Sequence, residues 1–370
     1  MPKANILMLL IIGLFIIIFF ITSPPSRGED FNFKDAYEFY KYYYMSKDGR
    51  IIDNSKKFIT TSEGQSYMLM QSFLIDDKKT FDLVYDWSKN NLQRKDGLFS
   101  WLWGETSDGG WGILDKNSAS DSDIDIAFAL ISAYEKWGER TYLTEAKRII
   151  NAIWTYETKE IGKYRVLMPG VAQTLSQDIE INPSYFSPYS FKLFQKYDTS
   201  HDWSKLVDSS YYYLEKVNSI TSSGLPPDWF YIKNGKIVLK EGRSDFSYDA
   251  VRVFLRVFLD YKLTGDKRAL PILEKSKFFI KKWQPFSRLY TNYKPDGTLK
   301  DHDEFIGSIA LLVPIIDLYD EKTAERIYNK NLKPYFKQKG YWNNTKEYYG
   351  QNLLWFGCYL YKNFDINREK

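Results

Sequence analysis

The sequence predicts an all-α protein. Three observations carry this: apolar residues recur at helical spacing through most of the 370 residues, strand-like alternation is scarce, and the periodic segments are divided by loops rich in Gly, Pro, Asn and Asp. Helical periodicity covers 81–92, 124–137, 142–156, 183–197, 203–217, 248–263, 269–283, 304–319, 321–330 and 349–361. Two further helix entries show as caps: Ser62 reads as the N-cap of a helix with Glu63 in its first turn, and Ser120 as the cap of the next acidic helix. Residues 231–239, split by Asn234-Gly235, are the best hairpin candidate. Ten or more helices joined by alternating short and long connections suit an α/α toroid, although a two-domain helical protein or a solenoid would share the periodicity. No long or low-complexity linker interrupts 32–370, so that stretch reads as one domain behind a leader at 1–31.

The leader contains residues 6–21, all apolar apart from Gly13, with Lys3 before them and Thr22-Ser23-Pro24-Pro25-Ser26-Arg27 after. That run is slightly long for a signal peptide and slightly short for a spanning helix, and its cleavage motif is poor. A retained signal anchor is favoured over a cleaved signal. Either way the rest of the chain is expected outside the cytoplasm, anchored to the cell membrane or secreted.

Composition narrows the chemistry. Fifty-one basic and 47 acidic side chains leave a net charge of +4 spread along the chain, without the basic cluster that nucleic acid demands. With two histidines, His201 and His302, and one cysteine, Cys358, a His- or Cys-rich zinc site, haem attachment and an internal disulfide are ruled out; no metal or cofactor is expected. Cys358 sits in an apolar segment and reads as a small buried hydrophobe. Carboxylates must therefore do the work, and beside 66 Trp, Tyr and Phe residues they point toward sugars, whose C–H faces stack on rings and whose glycosidic bonds yield to paired carboxyl groups.

Asp115, Asp121, Asp123 and Asp125 lie within eleven positions. At helical pitch Asp121 and Asp125 share a face while Asp123 points away. A capped helix start explains the first acids but not a like-charged pair four apart, which requires a compensating partner. Glu63 alone reads equally as a first-turn acid on the helix dipole.

Ala119-Ser120-Asp121-Ser122-Asp123, followed by Ile126-Ala127, Ala129-Leu130-Ile131, Ala133 and Trp137, resembles the signature of glycoside hydrolase family 8, with Ser122 replacing Ala or Gly. The same family is matched in order by Thr61-Ser62-Glu63-Gly64-Gln65-Ser66-Tyr67, Asp96-Gly97-Leu98-Phe99-Ser100-Trp101, Asn182-Pro183-Ser184-Tyr185-Phe186, Gly224-Leu225-Pro226-Pro227-Asp228-Trp229 and Phe246-Ser247-Tyr248-Asp249-Ala250-Val251-Arg252. The resemblance implies an (α/α)6 barrel that hydrolyses β-1,4-linked glycans with inversion. It implies Glu63 as general acid, Asp249 as general base and Asp121 as the acid that binds and distorts the sugar. Arg252, one turn after Asp249, is a natural partner for that carboxylate; Asp245, Asp303 and Glu304 are rival bases. Met68 departs from the family's usual Gly. Val253-Phe254-Leu255 departs as well and resembles the branch that accompanies bacterial cellulose synthesis.

Trp101, Trp103 and Trp111 sit in a Gly-rich loop, and Tyr185 and Trp229 in two matched segments. Sugar stacking and loop anchoring are both open readings for them; Tyr42-Tyr43-Tyr44 and Tyr211-Tyr212-Tyr213 read as helix-packing clusters. The expected function is endo-cleavage of cellulose, a β-glucan or a related exopolysaccharide. The alternatives are a chitosanase or xylanase of the same family, and a catalytically silent glycan-binding subunit of an export system. The expected partners are the polysaccharide, the membrane and a polysaccharide synthesis or export complex.

Overall fold

The computed structural model describes residues 32–176, 179–336 and 347–364. The apolar run 6–21 lies outside them, and no helix among the described residues is long and apolar enough to cross a membrane.

The body is mostly helical: α1 Phe33–Tyr44, α2 Ser62–Ile75, α3 Lys78–Asn91, α4 Ser120–Trp137, α5 Arg140–Tyr156, α6 Pro188–Tyr197, α7 Ser204–Ile220, α8 Val251–Thr264, α9 Lys277–Trp283, α10 Ile306–Asp317, α11 Glu321–Ile327 and α12 Tyr348–Asn363. In sequence order every second helix packs on the next such helix: α2 on α4, α4 on α6, α6 on α8, α8 on α10 and α10 on α12. The series returns on itself where Gln71 of α2 donates to Asn352 of α12 at 3.0 Å and the Tyr67 ring meets Phe356 at 5.6 Å. Outside this ring, α3 covers α2, α5 covers α4, α7 covers α6, α11 covers α10 and α1 covers α12, while the short turn Leu270–Leu273 lies on α8.

Sequence explains which helices go inside. Every residue of α4 from Ser120 to Ala133 is buried, as is α10 from Gly307 to Asp317, so these helices contact neighbours all round. By contrast α5 buries Tyr142, Ala146, Ile149, Ile150 and Ile153, one stripe at i, i+4, i+7, i+8 and i+11, and turns its charged face outward. At Gly357, where α12 crosses α10, an added Cβ would stand 2.4 Å from the Ala310 carbonyl. Gly357→Ala is therefore expected to destabilise the fold by about 1–3 kcal/mol, read from a denaturant midpoint; an unshifted midpoint would show that the helices can separate freely.

The all-α expectation needs correction at the loops, which carry three small antiparallel sheets. The first joins β1 Thr60–Thr61, β2 Ser100–Glu105 and β3 Trp111–Ser118; the second joins β4 Thr158–Ile161 and β5 Tyr164–Leu167; the third joins β6 Ile179–Ile181, β7 Phe230–Lys233 and β8 Lys236–Val238. Only the last hairpin was expected. Its turn, Asn234-Gly235, has φ values of 51° and 71°, the left-handed pair that a two-residue hairpin needs. Both cap expectations shift by one residue. Thr61, not Ser62, caps α2 by accepting from the Gly64 amide at 3.1 Å. Ala119 takes the cap position of α4, while Ser120 donates to the Met168 carbonyl at 2.7 Å. Segment 269–283 is broken into short pieces, and the tyrosine cluster at 42–44 is split, with Tyr44 buried and Tyr42 82% exposed.

Candidate active site

The long connections all enter the inner helices at their N-termini, which gathers those ends, with their partial positive charge, at one rim. Glu63 stands in the first turn of α2, Asp121 in the first turn of α4, and Asp249 just before α8. One guanidinium joins them. Arg252 Nη1 donates to Glu63 Oε1 at 2.5 Å and to Asp121 Oδ2 at 2.9 Å, and Nη2 donates to Asp249 Oδ1 at 2.8 Å. The two terminal nitrogens of Arg252 thus bring Glu63 and Asp249 to a single guanidinium.

Burial, more than the balance of charge, sets the protonation of Glu63 and Asp121. A single permanent cation faces three carboxyl groups. Burial pushes Glu63 up to about 7, against the pull of Arg252 and with the help of Asp121. Asp121 is raised as well, burial again outweighing Arg252. About a quarter of the Glu63 side chain and a third of Asp249 remain open, whereas Asp121 and Arg252 are covered.

Glu63 and Asp249 are each oriented by a residue that the sequence left unassigned. The Tyr67 hydroxyl donates to Glu63 Oε1 at 2.9 Å, the natural geometry for two residues four apart on α2. Asn182 Nδ2 donates to Asp249 Oδ2 at 3.0 Å, so both oxygens of Asp249 are held. Beneath it, Asp228 accepts from the amides of Ser247, Asp249 and Ala250 and from the Ser247 hydroxyl, tying down the chain at the start of α8. Burial and nearby Asp249 push Asp228 up to about 6. Its place in the Gly224–Trp229 match was visible, but its contacts span some twenty residues of chain and were not.

The like-charged pair on α4 finds its compensation across the ring. Asp121 meets Arg252, and Asp125 meets Arg256 in a two-pronged pair that Tyr189 joins. The arginines are also four apart, so two ladders of opposite charge face each other on α4 and α8. Asp123 points away, as expected, and accepts from the Phe99 amide at 2.8 Å. Its Oδ2 and Glu157 Oε2 are buried with no other partner. Both acids are raised, Glu157 to about 8, and a proton between them satisfies both oxygens. Ser118 donates to Glu157 at 2.6 Å, so this pair pins both strands of the β2–β3 hairpin to α4.

The expected aromatic positions divide. Pairing of Leu102 with Thr61 sets half-buried Trp101 beside the N-terminus of α2. Trp103 packs edge-on to Trp87, stacks on Trp111 at 5.3 Å, and lies under the Arg50 guanidinium at 4.1 Å, contacts that anchor the hairpin. Trp111 is half exposed at the end of that stack. Tyr185 stands 5.6 Å from the Arg252 guanidinium, with Trp229 edge-on to it at 6.3 Å and Arg243 over Trp229 at 4.8 Å. Tyr349, which no motif marked, lies near Arg252, Glu63 and Asp249, donates to the Tyr248 carbonyl at 3.3 Å and stacks on Phe305. Of the rival bases, Asp245 pairs with Lys300, Glu304 with Arg288, and Asp303 accepts from the Tyr248 hydroxyl.

The family model for glycosyl hydrolases family 8 matches residues 15–359. The chain belongs to this family. This family 8 member is 34% identical over 230 residues to an endoglucanase of Escherichia coli K12, covering 60% of this chain and 61% of that one. To endoglucanase A of Acetivibrio thermocellus it is 30% identical over 315 residues, covering 81% and 61%. The chain thus spans about three fifths of the length of these named relatives. Among solved structures it is similar to an endo-1,4-D-glucanase from Vibrio fischeri, with 28% identity, a TM-score of 0.77, and coverage of 87% of this chain and 93% of that one.

Proposed function

We propose that this family 8 chain is an inverting, endo-acting glycoside hydrolase that cleaves β-1,4-linked polysaccharide, cellulose or a related β-glucan, and that its closed double ring of helices is an (α/α)6 barrel. The observation that carries the reading is Arg252 binding Glu63 and Asp249 on its two nitrogens. Glu63 is the general acid: its known partners occupy Oε1, which leaves Oε2 to protonate the leaving oxygen. Asp249, oriented by Arg252 and Asn182 on its two oxygens, takes the proton of the attacking water. Asp121 binds the sugar at the point of cleavage, and Trp101, Tyr185 and Trp229 supply stacking surfaces beside it. The endoglucanase names of the relatives support the β-glucan assignment. Residues 6–21 act as an anchor that places the enzyme outside the cell membrane, where it acts on a polymer during export or on one encountered there.

Incubating the full chain with carboxymethyl-cellulose, lichenan, xylan and chitosan and counting new reducing ends tests the activity. Proton NMR of the first products tests the stereochemistry, since inversion releases the α-anomer first. No new ends on any polymer would overturn the reading, and β-anomer first would overturn inversion. The acid must carry its proton when substrate arrives, so kcat/KM is expected to fall about tenfold per pH unit above about 7, the value to which burial raises Glu63. A flat profile to pH 9 would remove Glu63 from the role.

A further inference from the structure

The tyrosine cluster at 211–213 is not used up by packing. Tyr211 and Tyr213 are buried, but Tyr212 is half-buried and borders a groove of about 430 Å³ on the outer ring. Asp208, Tyr211, Tyr212 and Glu215 fall at i, i+3, i+4 and i+7 of α7, so all four project along one stripe of it into the groove. Along this stripe two rings stand between two acids, Tyr212 half-buried and Tyr211 covered by Arg268.

The opposite walls complete a shape suited to sugar. Tyr164 of β5 stacks on Tyr212 with ring centres 4.2 Å apart and planes 21° from parallel. Arg268 lies over the Tyr211 ring at 4.7 Å, and its guanidinium is fixed by Asp266 and Asp208, each at 2.7 Å. The Tyr211 hydroxyl is fixed in turn by Asp260 at 2.5 Å. Rigid rings beside oriented carboxylates and a guanidinium are what a pyranose needs: its C–H face covers a ring while its hydroxyls bond to the charged groups. Lys163 and Lys216 lie over Tyr164 and Tyr212 at 5.2 and 5.8 Å; both are exposed flexible chains that a sugar would displace at small cost.

We propose that this groove is a second glycan-binding site, separate from the Arg252 cluster, which takes a neutral β-linked glucan and holds the polymer on the outside of the ring while another stretch lies at that cluster. Its lining shares no residue with the carboxylate cluster. The choice of a neutral glucan rests on the proposed hydrolase function.

Native electrophoresis through gels containing hydroxyethyl-cellulose, lichenan or xylan tests it, with the full chain carrying Glu63→Gln so that the polymer survives. Tyr212→Ala and Tyr164→Ala are expected to weaken retardation about fivefold, and Glu215→Gln, which leaves the rings packed, to weaken it measurably. In the active background the same variants should keep their turnover of cellohexaose, with melting curves reporting that each has folded. Unchanged retardation in all three variants overturns the groove, as does an unretarded Glu63→Gln parent in every gel or an equal loss on cellohexaose. If the unsubstituted chain hydrolyses no polymer, the hydrolase reading falls; retardation that Tyr212→Ala abolishes would still sustain the groove.

Discussion

Glu63→Gln is expected to lower kcat on a soluble β-glucan by about 10³–10⁴-fold with little loss of stability. Gln keeps the shape and the hydrogen bonds of the protonated acid, and Arg252 retains Asp121 and Asp249 as partners. The sign of the stability effect follows from linkage. Glu63 is raised from 4.5 to about 7 on folding, so the folded state holds a proton that the unfolded chain releases. Its contribution is fully present below about 4.5 and is lost as pH rises through about 7. A neutral Gln does not suffer this loss, so the variant should gain on the parent in a denaturant melt at pH 8 and not at pH 4. Asp249→Asn should damage kcat as severely, whereas Asp245→Asn and Asp303→Asn should stay within about tenfold of the parent, because Lys300 and Tyr248 already engage those acids away from Arg252. A parent-like Asp249→Asn together with a dead Asp303→Asn would transfer the role of base to Asp303.

Arg252→Met is expected to have the largest effect on the fold. The guanidinium is buried and engages three carboxyl groups, and removing one partner of a buried ion pair leaves charge uncompensated at a cost of about 3–5 kcal/mol. The stranded acids can escape by taking up protons, so the deficit should be smaller at pH 5 than at pH 8. Equilibrium unfolding at the two pH values reads both quantities, and a loss independent of pH would mean that Arg252 contributes packing instead of charge. Hydrolysis should vanish in this variant at either pH, since Glu63, Asp121 and Asp249 lose the group that gathers them.

Much of this molecule is readable along the chain because periodicity is a local property. The helices of the outer ring show one apolar stripe each, and α5 is found where its spacing places it. Asp121 and Asp125 were recognisable as an unexplained like-charged pair, because helical pitch alone puts them on one face. The β2–β3 hairpin was not recognisable: its register slips between Ser100 and Trp103, so the alternation that marks a strand is broken. The cap shift from Ser62 to Thr61 lies within the one-residue ambiguity of a Thr-Thr-Ser run.

What the amino-acid order determined by itself is the helical character, the acids at helix entries and the family to which their motifs belong. What only the tertiary structure decided is that a single arginine on α8 binds acids 189 and 131 positions away, that Arg256 answers Asp125, and that Trp103 is sealed under Arg50. Hydrophobic spacing says which side of a helix faces inward but carries no information on which distant helix it will face. A pKa also depends on the solvent removed and the charges brought near, and both are properties of the closed ring.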